Sequence, residues 1–161
     1  MGREIERKFL VSGDEWRRAA VRTERMSQGY LANGPRASVR VRVGAERAWL
    51  NIKVGGLVAV REEFEYPIPV ADAEALLAAS PEPRIEKTRH FVPYAGLEWE
   101  VDEFHGRNAG LVVAEIELEH EGQHFARPPW IGAEVTHLTR YYNVKLVEHP
   151  YCAWSDAERG A

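Results

Sequence analysis

The strongest constraint on this chain is a two-residue alternation whose polar positions come as pairs of like charge. VRVRV puts Arg40 and Arg42 on one face and Val39, Val41 and Val43 on the other. In MGREIERKFLV, Glu4, Glu6 and Lys8 share a face, while Ile5, Phe9 and Val11 take the opposite one. Side chains that alternate in this way belong to β-strands. At ~3.3 Å per residue, Glu4 and Glu6 stand roughly 6.6 Å apart, close enough to repel or to grip one cation together.

The pattern repeats along the chain. LNIKV sets Lys53 opposite Leu50, Ile52 and Val54, and REEFEYPI places Glu63 with Glu65. IEKTRHF pairs Lys87 with Arg89, LEWEVDEF pairs Glu100 with Asp102, and VVAEIELEH pairs Glu115 with Glu117. A solvent-facing sheet gains from mixed signs, because like charges directly opposite one another are destabilising. Whole strands of one sign make sense on a concave face serving two kinds of counterion. Acid pairs suit a hard divalent cation, and Arg or Lys pairs suit a polyanion such as phosphate. The alternative is an outer face laced with salt bridges, each acidic strand lying beside a basic one.

Turn chemistry divides the alternating runs into strands over Arg3 to Val11, Arg25 to Ala32, Pro35 to Val43 and Arg47 to Val54. Further strands run over Ala59 to Ile68, Pro83 to Val92, Leu97 to Phe104 and Leu111 to Glu119, with NGP, GAE, GG, AG and GRNAG among the turns. The fold class is mainly antiparallel β within an α+β chain, as a barrel or a sandwich. Helices are few. Asp14 is placed to cap a short helix through Ala20, and Val70 to Ser80 reads as a helix stopped by Pro81 and Pro83. From about residue 128, PPWIGAEVTHLTRYYNVKLVEHPY reads as helix, turn, helix packed on the sheet, with a frayed tail from Ser155.

The 161 residues, 45% hydrophobic and 29% charged, fit one domain spanning 1–161. A net charge of -4 supplies no bulk basic field for nucleic acid or an anionic membrane, so a polyanion must be met locally. Cys152 is the single cysteine, which excludes an intrachain disulfide framework. The charged start runs straight into strand alternation without a signal peptide, and no apolar run approaches a membrane span, so the expected location is cytoplasmic.

EIERK at Glu4 to Lys8 resembles the E-x-E-x-K signature of the CYTH superfamily, the triphosphate tunnel metalloenzymes. The resemblance continues through VRVR, LNIK, EFE, KTRH, WEVDEF and AEIELE, in order and over nearly the whole chain. It implies an eight-stranded antiparallel barrel whose tunnel holds a triphosphate with Mg2+ or Mn2+, and flanking helices that include the C-terminal segment. It also implies that Glu4, Glu6 and Glu117 hold metal, with Glu63, Glu65, Asp102 and Glu115 completing a second site or holding metal-bound water. Lys8, Arg40, Arg42, Lys53, Lys87 and Arg89 would then bind phosphate. Tyr30, in SQGYL, resembles a tyrosine that forms a dyad with the signature lysine, so Lys8 and Tyr30 are the expected catalytic pair. The implied activity is metal-dependent hydrolysis of a triphosphate compound. Inorganic tripolyphosphate leads, with ATP, thiamine triphosphate and other nucleoside triphosphates as competing substrates. Class IV adenylate cyclase is the rival reaction, and a polyphosphate-binding or nucleotide-binding module the non-enzymatic one. Assembly as monomer or homodimer stays open.

Other features take ordinary roles. His105, His120, His124, His137 and His149 lack tight metal spacing, and His90, next to Arg89, faces away from it. Tyr141 and Tyr142 read as packing residues, and Cys152 has no nucleophilic setting.

Overall fold

In the computed structural model, which describes residues 2–160, alternation along each strand becomes an inside and an outside. The strands are β1 (Gly2–Val11), β2 (Arg22–Asn33), β3 (Ala37–Val43), β4 (Ala48–Val54), β5 (Val60–Ile68), β6 (Ile85–Tyr94), β7 (Leu97–Phe104), β8 (Val112–Glu117) and β9 (Ile131–Glu134). They pair in the order β5-β4-β3-β2-β6-β7-β8-β1-β9, and β5 also pairs with β1. That last pairing closes β1 to β8 into an antiparallel ring. Closure runs from Gly2 opposite Glu63 to Ile5 opposite Val60. Farther along β1, the edge that β5 leaves is taken by β9, with Val11 opposite Ile131. Between the two, the Lys8 amide donates to Thr136 Oγ1 at 2.9 Å and the Val135 amide donates to the Lys8 carbonyl at 2.8 Å. No stretch of β1 is left as a bare edge there.

The ring carries its charges inside, so much of the apolar core lies outside. Phe9, Trp99, Val101, Ile116 and Trp130 form one cluster on the outer faces of β1, β7 and β8. Edge-to-face ring pairs join Phe9 to Trp99 and Trp99 to Trp130. Helix α2 (Val70–Ala78) covers a second cluster, with Val41, Val43, Ala48, Ala73 and Leu77 buried together. Gly29 of β2 lets the helix approach closely there, because a Cβ at that position would stand 3.0 Å from Leu77 Cδ2 and 3.2 Å from Ser80 Oγ, and those side chains would have to shift. The β6–β7 hairpin turns on Ala95 and Gly96, both at positive φ (49° and 83°), as a two-residue hairpin requires.

The third cluster closes one end of the ring. Tyr30, Ile85, Phe104 and Val113 face inward, and they pack against Val135, Tyr141, Tyr142, Val144 and Leu146 from the C-terminal segment. The segment is not helix, turn, helix, as the sequence pattern suggests. Its first part, read as helix, is strand β9, because Ile131 to Glu134 pair with the free edge of β1 and long-range ladder bonds outweigh local periodicity. Only Asn143–Glu148 forms the expected second helix, α3.

Two smaller expectations also fail. Helix α1 (Glu15–Ala19) forms, but the Asp14 side chain makes no capping bond, and the buried Trp16 anchors it through Nε1 to the Gly13 carbonyl. The tail from Ser155 is ordered as α4 (Asp156–Arg159), capped reciprocally by Ser155 and Glu158, while Ala161 lies outside the described residues. Among the described residues, no helix is long and apolar enough to cross a membrane.

Candidate active site: a tunnel with two walls

Ring order sorts the charges. Going round, β4, β3, β2 and β6 bring Lys53, Arg40, Arg42, Lys87 and Arg89 onto one contiguous wall. The remaining strands, β7, β8, β1 and β5, bring Glu100, Asp102, Glu115, Glu117, Glu4, Glu6, Glu63 and Glu65 onto the other, with Lys8 and Arg61 set among them. Acidic strands therefore neighbour acidic strands. Glu6 stands directly opposite Glu117, and Glu100 opposite Glu115. The alternative of an outer face with alternating signs is thereby excluded.

A cavity of about 390 Å³ lies between the walls. Of the residues singled out from the sequence, Glu4, Glu6, Lys8, Tyr30, Arg40, Arg42, Lys53, Glu63, Glu65, Arg89, Glu115 and Glu117 line it. Lys87 and Asp102 do not. Both are 0% exposed and paired at 2.6 Å. Asp102 also takes the Arg89 fork through two bonds, at 2.7 and 2.8 Å. Lys87 and Asp102 thus form a base beneath Arg89. Burial drives Lys87 down to about 7 against the attraction of Asp102, and Arg89 and Arg42 add to the push. Asp102 resists its own burial and stays below the ordinary carboxyl value, because Arg89 and Lys87 hold it ionised.

Lys8 is almost wholly buried, and its ammonium donates to Glu6 Oε1 and Glu115 Oε1, both at 2.6 Å. Burial opposes its charge, but Glu115 and Glu6 outweigh burial and raise its pKa, so Lys8 is a fixed cation. The ring lying against its Nζ is that of Tyr142, at 4.9 Å to the centroid. Tyr30 lines the same cavity, opposite Arg40 in register.

The basic wall is unevenly satisfied. Lys53 bonds both Glu4 oxygens at 2.8 and 2.9 Å, and Arg61 reaches Glu4 Oε2 at 3.2 Å. Arg40 comes no nearer to a carboxylate than 3.7 Å, at Glu63. Among the described residues, Nε of Arg40 and of Arg42 is buried without a hydrogen-bond partner. Burial, with Arg40 and Arg89 close by, lowers Arg42 to about 10, so it remains charged at neutral pH. These guanidiniums need an anion from outside.

On the acidic wall, burial and the charges of Glu4, Glu6 and Glu63 raise the proton affinity of Glu117. An oxygen cluster under mutual repulsion fits a hard divalent cation. Among the described residues, no three His, Cys, Asp or Glu side chains already converge to hold a metal. Glu4 is drawn instead to Lys53 and Arg61, and Glu6 to Lys8. Binding a cation there requires those carboxylates to turn.

Arg61, Glu100, Tyr142 and Asn143 also line the cavity and were not selected as site residues from the sequence. Alternation could have found two of them. Arg61 shares its parity with Glu63 and Glu65, and Glu100 shares its parity with Asp102. Tyr142 and Asn143 enter through the packing of the C-terminal segment, for which the sequence carries no local signal.

The geometry has counterparts among known proteins. The profile of the CYTH domain matches residues 2–151. An inorganic triphosphatase of Acetivibrio thermocellus is 47% identical over 152 residues, covering 94% of this chain and 97% of that protein. An inorganic triphosphatase of Nitrosomonas europaea is 37% identical over 149 residues, 89% of this chain and 95% of that protein. Among solved structures, the inorganic triphosphatase NE1496 superposes with a TM-score of 0.66 at 33% identity, covering 89% of this chain and 93% of that one.

Proposed function

The chain belongs to the CYTH domain family, and on that premise we propose that it is a metal-dependent triphosphatase whose substrate is inorganic triphosphate. One observation carries the reading. Buried guanidiniums without full partners, Arg40 and Arg42, face a carboxylate wall across a cavity of about 390 Å³. A polyanion bridged to a divalent cation satisfies both walls at once.

Arg40, Arg42, Lys53 and Arg89 hold the phosphate oxygens, the planar guanidinium forks in pairs and the lysine as a point charge. The Lys87–Asp102 pair keeps Arg89 in place from beneath. Glu4, Glu6 and Glu117 would hold the cation, Mg2+ or Mn2+, with Glu63, Glu65 and Glu115 close by. When bound, the cation supplies neutralisation of developing charge and polarisation of water. Lys8, fixed as an ammonium by Glu6 and Glu115, adds positive charge to the acidic side of the cavity. Tyr30 orients the attacking water, and Tyr30→Phe tests that role by turnover. Hydrolysis breaks one P–O–P bond and adds water across it, giving phosphate and pyrophosphate. The lone Cys152 fits a reducing compartment, and the proposed location is the cytoplasm.

The test is turnover of tripolyphosphate, ATP and thiamine triphosphate side by side, each with Mg2+ or Mn2+, following phosphate and cyclic AMP. Phosphate release from tripolyphosphate well above the other two is the expected result. Cyclic AMP from ATP would keep the two walls and replace the reaction with cyclisation.

A further inference from the structure

The basic and acidic walls also meet where β4 pairs with β5, and a neutral amide stands at that seam. Asn51 of β4 shares its inward parity with Lys53 and is 0% exposed. Arg40 is opposite it on β3, and Glu65 is opposite it on β5. Its Nδ2 lies 3.0 Å from Glu63 Oε1 and 2.5 Å from Glu65 Oε2, so one NH2 group donates to both carboxylates of β5. Carboxylates accept and do not donate, which fixes the end of the amide that faces them. Glu63 and Glu65 line the cavity, and Asn51 stands behind them without lining it.

The amide is engaged on one side only. Among the described residues, its Oδ1 is buried without a hydrogen-bond partner, as is Nε of Arg40. A buried acceptor left unmatched opposes stability, so what the amide contributes lies at its donor end. A side chain that merely filled the space would do so without that cost. Arg40 and Lys53 both stand off from Glu63 Oε1 at 3.7 Å, while Asn51 bonds it. The bridge therefore ties two like charges at one spacing and keeps them from collapsing onto the basic wall. A cation such as Mg2+ takes one or two carboxylates and completes its shell with water and phosphate oxygens. A tied pair suits that chemistry, and among the described residues no three such side chains converge in advance.

We propose that Asn51 is a positioning residue of the acidic wall, whose amide holds Glu63 and Glu65 as one pair for the divalent cation that enters with the substrate. This rests on the triphosphatase reading and assigns to Asn51 a part in metal affinity, with no contact to substrate. The competing role is a spacer between β3 and β5.

The experiment uses the full chain as wild type, Asn51→Leu and Asn51→Asp. It measures the Mn2+ concentration for half-maximal turnover, KM for tripolyphosphate at saturating Mn2+, and unfolding temperatures with Mn2+ alone, with tripolyphosphate alone and with both. In Asn51→Leu the Mn2+ midpoint rises about 10- to 100-fold, the range for losing a group that orients a metal ligand. Excess Mn2+ restores kcat, and KM stays within about twofold of wild type. The thermal shift from tripolyphosphate alone is kept, and the further gain on adding Mn2+ shrinks. Asn51→Asp has the same shape but sets a third carboxylate beside the pair, so Mn2+ alone raises its unfolding temperature more than that of wild type.

A Mn2+ midpoint within about twofold of wild type in Asn51→Leu would make Asn51 a spacer and overturn the proposal, whatever happens to kcat. If that variant does not fold, Asn51→Asp decides, and a response to Mn2+ alone equal to that of wild type overturns the proposal. Wild type separates this inference from the reading beneath it. Wild type without metal-dependent turnover of tripolyphosphate would remove both, whereas active wild type beside a variant with an unchanged Mn2+ midpoint removes only the role of Asn51.

Discussion

The two walls of the tunnel carry opposite charge and are built in different ways. On the acidic wall, like charges stand face to face in register, Glu6 against Glu117 and Glu100 against Glu115, and internal cations partly quiet them. On the basic wall, the neutral Gln28 and Tyr30 of β2 stand between Arg40 and Arg42 on one side and Lys87 and Arg89 on the other, although Arg40 and Arg89 still act on Arg42. One wall thus stores repulsion that a cation relieves. The other stores unpaired donors that an anion fills. Neither is a stability device, since buried charges left short of partners cost free energy. The cost is offset outside the ring, where the aromatic cluster around Trp99 and the core beneath α2 are packed.

The comparison can be broken most severely at Asp102, where acidic and basic walls meet in the Lys87–Asp102–Arg89 triad. Asp102→Ala leaves the buried Arg89 fork without its carboxylate and the buried Lys87 amine without its partner, and we expect a loss of about 3–5 kcal/mol in denaturant unfolding. A loss no larger than that of a surface substitution would show that the triad is not the junction of the walls.

Arg42→Met sharpens the contrast, since among the described residues Nε of this arginine has no hydrogen-bond partner to lose. The unliganded fold should keep or gain stability, while turnover of tripolyphosphate falls about 10²- to 10³-fold, as when a positioned charge donor is removed. A destabilised fold with normal turnover would assign Arg42 to structure.

Acid separates the walls in a third way. Lys8 and Arg89 hold Glu115 well below its ordinary value of 4.5, and Arg89 and Lys87 hold Asp102 below 3.8, in both cases against burial. Folded, these carboxyls bind fewer protons than when unfolded. The stability they contribute is therefore complete above those ordinary values and is lost as pH falls through the lowered ones. Thermal unfolding should stay flat above about pH 5 on their account and decline below pH 4. A curve flat to pH 2 would contradict the ion pairing.

The smallest effect belongs at the closed end. Tyr142 donates its hydroxyl to the Thr136 carbonyl at 3.0 Å while its ring lies over Lys8. Tyr142→Phe keeps the ring and should cost about 1 kcal/mol in unfolding, with little change in KM.

Much of this was legible in the sequence, because alternation assigns a face without knowledge of the fold. Arg40 with Arg42, Glu115 with Glu117, and Glu4, Glu6 and Lys8 of the EIERK run all point inward as their parity requires. Parity does not report depth along the tunnel, so Lys87 and Asp102, which share the inward face with Arg89, could not be told from the residues that line the cavity. Nor does it report closure. The contact of β1 with β5 joins residues nearly sixty positions apart, and the four-residue β9 exists only because β5 leaves the edge of β1 free. Tyr142 and Asn143 reach the cavity through that same long-range closure. Gln28 reads from sequence as one polar residue in an alternating strand, and its unpartnered amide emerges only from three-dimensional packing.

The most direct measurement is titration of tripolyphosphate into Glu117→Gln in the presence of Mg2+, with phosphate release followed in the same samples. If the acidic wall works through a cation and the basic wall holds the substrate, the variant binds tripolyphosphate while turnover falls by about 10³-fold, several kcal/mol of lost charge stabilisation. Undiminished turnover would contradict the division of labour between the walls, and loss of binding with proportionate loss of turnover would place the substrate on the acidic side.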